Sequence, residues 1–325
     1  MKKIGLVGTY FPGAYDALHE RVPQGFELVD ALSPKDYDRL ADCEYMISRL
    51  DIDPDIIHHT PSLRFWQRWG AGFDHVDLEA WGARGIPIAT CPGVNAGIVA
   101  ELAVMLMLAG YRNLLQINRD LRAGHWPKTE YFGRSFMLRG KTVGVLGLGR
   151  IGKRVAQLVT AFGANVIYTD IVRQWDEERR FGYGFVPLEE LLEKSDILTV
   201  HCPLDESTRG MIGERELARM KPSAMLVNTA RGPIVCEDAL VDALQRGVIA
   251  TACLDTYERE PLPPDHPLLR LDNVVASAHA GGNTKDNDAN MVDYIYSNIL
   301  AFDADRPLNS PEDVVNARWL KSREG

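Results

Sequence analysis

The stretch Val143-Gly144-Val145-Leu146-Gly147-Leu148-Gly149-Arg150-Ile151-Gly152 constrains the fold more than any other part of the chain. Val143 to Leu146 is a short apolar run that reads as a buried strand. Glycines follow at once, and Lys153-Arg154-Val155-Ala156-Gln157-Leu158-Val159 then reads as a helix start. This is G-x-G-x-x-G in strand–turn–helix context. Gly147 permits a tight turn, Gly149 lets backbone approach a pyrophosphate, and Gly152 lets helix and strand pack closely. The helix N-terminus offers unpaired N–H groups and a partial positive charge to phosphates. A second apolar strand, Ala164 to Tyr168, leads to Asp170, eighteen residues beyond Gly152, where an acidic side chain can hydrogen-bond an adenosine ribose. The pattern predicts a dinucleotide site. Asp170 favours NAD, because a carboxylate repels a 2′-phosphate, but Arg173 stands close enough to keep NADP open.

Strands alternating with helices run through the rest of the chain and predict parallel sheets. Before the glycine motif the expected strands are Lys3 to Val7, Phe26 to Val29, Glu44 to Ser48, Leu63 to Trp69 and Ile86 to Thr90, with helices at Ser33 to Leu40 and Leu78 to Ala83. One long helix is expected from Asn95, its N-cap, to about Arg122. It is apolar nearly all round and so must be buried nearly all round. Arg122 to Phe136 reads as an extended arm. After the motif come strands Ile197 to His201, Ala224 to Asn228, Ile249 to Leu254 and Val274 to Ala276, and helices Leu188 to Lys194, Glu214 to Met220, Glu237 to Gln245 and Asp286 to Ala304. The expected architecture is α/β, with two Rossmann-like doubly wound parallel-sheet domains. Residues 1–97 with 290–325 form a flavodoxin-like substrate domain, and 98–289 a nucleotide-binding domain.

A length of 325 residues suits two such domains, and 46% hydrophobic with 25% charged residues suits a globular chain. A net charge of −9 argues against nucleic acid or an anionic membrane as the main partner. The N-terminal apolar run is too short for a signal peptide, and Leu102 to Leu108 is far short of a membrane span. The five cysteines, Cys43, Cys91, Cys202, Cys236 and Cys253, lack C-x-x-C spacing. They read as buried thiols of a reducing cytoplasm, not as disulfides or a metal site.

Ligands of open α/β sheets bind beyond the carboxyl ends of strands. Arg231, Asp255 and His279 each follow a predicted strand of one sheet, with Glu260 five residues past Asp255. Arg231 offers a positive fork for a carboxylate. His279 can exchange a proton near neutral pH, and Glu260 can hold its imidazolium. His201 also ends a strand and is expected on the adenine side. His19, His58, His59, His75 and His266 are expected to be structural. Gly70-Ala71-Gly72 can form an anion nest for a substrate carboxylate.

With these residues in place, the sequence resembles the D-isomer-specific 2-hydroxyacid dehydrogenase family from the first strand to about Pro307. The likeness rests on Gly70-Ala71-Gly72-Phe73-Asp74 with Val76-Asp77, Pro92-Gly93-Val94-Asn95 with Val99-Ala100-Glu101, and Gly147 to Gly152 with Asp170. It continues through Val227-Asn228-Thr229-Ala230-Arg231-Gly232, Leu254-Asp255 with Glu260-Pro261, and His279-Ala280-Gly281-Gly282-Asn283-Thr284. The resemblance implies a small 2-oxo or 2-hydroxy acid as substrate, NAD or NADP as cofactor, and a homodimer formed through the cofactor domain. It makes Arg231, Glu260 and His279 catalytic, and gives the substrate the N–H groups of Ala71 and Gly72 as well as Arg231 and His279. It assigns Gly147, Gly149, Arg150, Ile151, Gly152, Asp170, Cys202, Pro203, Thr208, Thr229, Ala230 and Asp255 to the cofactor. Arg49, Leu50 and Phe73 are expected near the substrate's side chain, with Trp126 reaching it from a neighbouring subunit. Ala278 departs from the family, which commonly has proline before the histidine. The chain ends too soon for the regulatory domain of many phosphoglycerate dehydrogenases. A dinucleotide-sensing scaffold on the same fold, as in certain corepressors, is the alternative; it would not need Arg231, Glu260 and His279 together.

Overall fold

A computed structural model describes residues 1–49, 52–73 and 75–320. The chain divides into two compact units, Met1–Asn95 with Asn283–Gly325, and Ala96–Gly282. The second unit was expected over 98–289, so its start lies close to the expected one and its end falls earlier.

The first unit comprises β1 (Lys2–Val7), α1 (Pro12–Glu20), β2 (Phe26–Ala31), β3 (Tyr45–Ser48), β4 (Phe65–Arg68), α2 (Leu78–Ala83) and β5 (Ile88–Ala89), closed by a helix at Asn287–Asp303. Its strands form a parallel sheet in the order β2-β1-β3-β4-β5. β3 and β4 are wholly buried, as expected of strands covered on both faces. One face packs Ile4, Leu6, Tyr45, Ile47 and Phe65 against Ile295 and Ile299 of the closing helix. The other packs Val7, Met46, Trp66 and Ile88 against Leu40, Ile56 and Trp81. Strand order reverses between β1 and β3, the place where such sheets open a crevice.

The second unit comprises α3 (Ala96–Tyr111), α4 (Leu114–Arg122), β6 (Thr142–Leu146), α5 (Arg150–Ala161), β7 (Asn165–Thr169), α6 (Trp175–Phe181) and β8 (Gly184–Phe185). There follow α7 (Leu188–Lys194), β9 (Ile197–Val200), α8 (Glu214–Arg219), β10 (Met225–Asn228), α9 (Glu237–Gln245), β11 (Thr251–Leu254) and β12 (Val274–Ala276). Its parallel sheet runs β12-β11-β10-β9-β6-β7-β8 and reverses between β6 and β9. α3 and α5 cover one face through Ala103, Met107, Val155 and Val159. α7, α8 and α9 cover the other through Leu191, Leu217 and Leu240. Two parallel-sheet α/β units were expected, and two are present.

Several local expectations need correction. The single helix from Asn95 to Arg122 is two helices, bent by 61°. Asn113 at the break is left-handed (φ 49°), a conformation asparagine tolerates better than most residues. Ser33 to Leu40 is a 3₁₀ helix over Pro34–Leu40, and the Ile86 to Thr90 strand shrinks to Ile88–Ala89. Two α-helices and one strand had no expectation. α1 begins with Pro12-Gly13, which reads as a turn, yet proline is favoured at a helix start. α6 (WDEERRF) has no apolar periodicity; acids in its first turn, bases in its last and left-handed Gly182 at its end define it instead. β8 is two residues long. Among the described residues no single helix is long and apolar enough to cross a membrane, and α3 is largely buried within its own unit.

Candidate active site

The glycine loop sits at the strand reversal of the second unit. Gly147 has φ +93°, and a Cβ there would lie 2.6 Å from the Cys202 nitrogen and 2.8 Å from the His201 carbonyl carbon. A Cβ on Gly152 would lie 2.1 Å from the Gly147 oxygen, so only glycine lets α5 start this close to β6. Gly149 faces open space, with nothing within 4 Å of its missing Cβ. Exposed Arg150 and half-buried Ile151 open α5, whose first N–H groups point out of the loop.

Asp170 lies where the spacing put it, beyond β7, and already has protein partners. Its carboxylate accepts from Leu148 N at 2.7 Å and from Val172 N at 3.0 Å, which pins the glycine loop to the end of β7. Arg173 is also engaged: two of its nitrogens donate to Glu178 at 2.9 Å, and its guanidinium stacks 3.7 Å over Trp175. Burial pushes the Cys202 thiol up to about 11, so it stays protonated. The Thr208 hydroxyl donates to the Pro203 carbonyl at 2.7 Å and accepts from Asp205 N, which shapes that loop from within. Burial pushes His201 down to about 3, so its ring is neutral; Nε2 pairs with Thr199 Oγ1 at 2.8 Å. His201 Nδ1 and Thr229 Oγ1 are buried without a partner among the described residues.

The other candidates gather beyond β10, β11 and β12. The Asn228 amide accepts from Ala230 N and donates to the Arg231 carbonyl, folding the Thr229–Arg231 turn. Arg231 Nη1 donates to the Ala230 carbonyl at 2.8 Å. Glu260 Oε2 meets His279 Nδ1 at 2.6 Å. That bond raises the His279 pKa above the ordinary histidine value, against burial and the Arg231 charge. Burial alone would raise Glu260, but hydrogen bonds from His279 and Tyr257 N prevail and hold it below the usual glutamate value. Arg231's charge is felt by both groups, so the three side chains share one electrostatic neighbourhood. His279 itself is left-handed (φ 49°) and half-exposed.

Asp255, expected at the cofactor, is already engaged by the protein. It is 1% exposed, and its carboxylate accepts from Ala280 N, Gly281 N and the Ser277 hydroxyl, at 2.9, 2.9 and 2.6 Å. Its oxygens therefore hold the histidine loop. Sequence reasoning passed over Asn228, Tyr257 and Ser277. The only signal was their place at or just past strand ends, which structural residues share.

In the first unit, the N–H groups of Ala71 and Gly72 have no acceptor among the described residues, while Gly70 is left-handed (φ +94°) and Gly72's carbonyl accepts from Arg68. Arg49 is 9% exposed, donates to the Thr9 carbonyl at 2.9 Å and stacks 3.9 Å from the Phe11 ring centre. Phe73 is exposed at 38% and, in the second unit, Trp126 at 75%. Asp74 and Leu50 lie outside the described residues.

Residues 104–281 match the sequence profile of the D-isomer specific 2-hydroxyacid dehydrogenase, NAD binding domain. The chain belongs to that family. It is thus an oxidoreductase built on an NAD-binding domain, and family members of known name lie nearby. The chain is 38% identical to the glyoxylate reductase of Korarchaeum cryptofilum over 290 residues, 88% of this chain and 86% of that one. It is 38% identical to the glyoxylate reductase of Aeropyrum pernix, covering 97% of this chain and 96% of that one. Among solved structures, the NADPH-dependent glyoxylate/hydroxypyruvate reductase of Sinorhizobium meliloti, in complex with NADP and malonate, superposes with a TM-score of 0.81 at 30% identity, covering 97% of both chains. The matched residues 104–281 lie almost wholly within the second unit, which carries the glycine loop, Arg231, Glu260 and His279.

Proposed function

We propose that the protein reduces a small 2-oxo acid to the D-2-hydroxy acid, and runs the reverse, with glyoxylate or hydroxypyruvate as the favoured substrate. The 2.6 Å contact between His279 and Glu260, within reach of Arg231's charge, carries this reading. The residues fit a dinucleotide: Gly149 leaves room, the N-terminus of α5 offers N–H groups, and Thr229 Oγ1 is buried without a partner among the described residues. Gly147 to Gly152 would hold its pyrophosphate, Asp170 its ribose, and Thr229 and Ala230 its nicotinamide end. Bound nicotinamide supplies or takes the hydride at C2. His279 does the proton work. Nδ1 is committed to Glu260, so Nε2 carries the proton that reaches the carbonyl oxygen in reduction and takes it back in oxidation. Glu260, ionised, keeps the imidazolium populated and fixes its tautomer. Arg231 anchors the substrate carboxylate and stabilises charge growing on the oxygen. Ala71 and Gly72 are the proposed N–H donors of the first unit, and Arg49 the residue there that reads the substrate's far end.

Asp170, together with an Arg173 held by Glu178 and Trp175, supports NADH over NADPH. At an effective dielectric near 20, a carboxylate close to a 2′-phosphate disfavours it by a few kcal/mol, so kcat/KM for NADH is expected to exceed that for NADPH by about 10–100-fold. One panel tests both statements: glyoxylate, hydroxypyruvate, pyruvate and longer 2-oxo acids against NADH and NADPH. A chain that binds NADH yet oxidises it with none of these acids would fit the scaffold alternative. Equal use of the two cofactors would remove Asp170 as the selector.

A homodimer formed through the second unit is proposed on the apolar side chains left bare on α3, α4 and the following arm: Met105, Leu114, Leu121, Trp126, Phe132 and Met137, each at least 44% exposed. Of the five thiols, all expected to be buried, Cys43, Cys91 and Cys253 are, whereas Cys202 is half-buried and Cys236 is exposed; all five are free, which suits the cytoplasm. Sedimentation velocity is expected to give about twice the chain mass, with Leu121→Glu shifting it toward monomer; a wild-type monomer at micromolar concentration would contradict the proposal.

A further inference from the structure

We infer that Tyr257 is a positioning residue for the acid–base pair, one side chain and one N–H that tie the Glu260 loop to the strand end carrying His279. This rests on the proton role proposed for His279. Tyr257 N donates to Glu260 Oε1 at 3.0 Å, and the Tyr257 hydroxyl donates to the Ser277 carbonyl at 2.8 Å. The residue is 6% exposed, and burial pushes its phenol up to about 12, so it remains a neutral donor throughout the working range. Its backbone also meets the arginine loop. A Cβ on Gly232 would lie 1.9 Å from the Tyr257 carbonyl carbon and 2.0 Å from its oxygen. Tyr257 therefore touches all three loops that carry the site.

His279 needs such bracing. Its φ of +49° is a conformation that residues with a Cβ seldom hold without outside support. The residue before it is Ala278, which has no ring to fix the backbone. The loop is held by hydrogen bonds instead. His279 N donates to the Asp255 carbonyl at 2.8 Å, and the Asp255 carboxylate gathers Ser277, Ala280 and Gly281. The Tyr257 phenol closes this set from the Ser277 side. Without it, strand β12 ends less firmly, and the short contact between His279 and Glu260 loses definition. The charged groups that bear on His279 are Glu260, Arg231 and Asp255; none of them is removed when the phenol is lost.

The test is Tyr257→Phe in the full chain, which keeps the ring and deletes one hydroxyl. The His279 imidazole is followed by NMR titration, identified by its absence in His279→Asn. Its pKa is expected to fall back toward 6.5 by about 0.5 unit. In parallel, kcat for 2-oxo acid reduction is expected to drop about 3–10-fold, with the NADH KM held within about twofold. An unchanged His279 titration with unchanged kcat overturns the inference. So does a loss shared equally by kcat and NADH affinity, which marks a general structural role. If Tyr257→Phe does not fold, the wild-type Tyr257 hydroxyl proton is followed by NMR instead: slow exchange with water supports the bond to the Ser277 carbonyl, and exchange as fast as a free phenol's overturns the inference. If the wild type reduces no 2-oxo acid, the proposed function fails while the titration still decides the role of Tyr257.

Discussion

His279→Asn is expected to lower kcat for 2-oxo acid reduction about 10²–10⁴-fold, the usual contribution of a positioned proton donor, while NADH binds within about twofold of wild type. Asparagine is the substitution of choice for two reasons. It tolerates the left-handed backbone that position 279 adopts (φ 49°), and its amide can still donate to Glu260. Loss of turnover then reports the missing proton, not a collapsed loop. Steady-state rates and NADH fluorescence titration check both halves; a parallel loss of cofactor affinity would point to a structural histidine.

The pH profile should carry the same signature. With His279 as the proposed proton donor, reduction needs it protonated, and Glu260 raises its pKa above 6.5. The reductive rate should therefore persist above pH 6.5 and fall as pH rises through the elevated value, whereas oxidation should rise over that window. Stability follows the same linkage. The histidine's contribution is fully present below its unfolded pKa and is lost as pH rises through the folded one. Glu260, held below its ordinary value, contributes above that ordinary value and loses its effect as pH falls through the depressed one. Both groups are partly solvated, so the change in stability is small and the change in rate is the useful reading.

Much of this was legible in the sequence because the decisive signals are local. Gly147 and Gly152 sit where a Cβ would strike backbone, Gly149 faces open space, and a strand–turn–helix pattern announces all three. Arg231, Asp255 and His279 follow strands of one parallel sheet, and the rule that such ends converge was enough to group them. Elements whose stability comes from end effects were less visible. α6 has no apolar face to betray it, α1 begins with two residues that usually end helices, and the break at Asn113 depends on one backbone angle inside an apolar run. Asp255 shows a different gap. Its position was readable, but its burial under three donors from the 277–281 loop was not, because those donors are backbone and a serine more than twenty residues away.

Arg231→Gln is expected to reduce kcat/KM for 2-oxo acids about 10²–10⁴-fold, mostly through the acid and hardly through NADH. Two charge-assisted hydrogen bonds to a carboxylate, each about 1.5–3 kcal/mol, set that range. A second consequence distinguishes this from simple loss of affinity. Arg231's positive charge holds the His279 pKa down against Glu260. Removing it should move the alkaline limb of the reductive profile to higher pH, opposite in sign to the shift expected when Tyr257 loses its hydroxyl. Arg231→Lys separates the two effects: the charge stays, so the limb should hardly move, but the planar fork is gone, so most of the loss in kcat/KM should remain. A lysine variant that restored full activity would make Arg231 a point charge and not a carboxylate clamp. A glutamine variant whose pH limb stayed fixed would place the guanidinium outside the electrostatic reach of His279 in the working enzyme, and the grouping of arginine, glutamate and histidine into one site would then lose its physical basis.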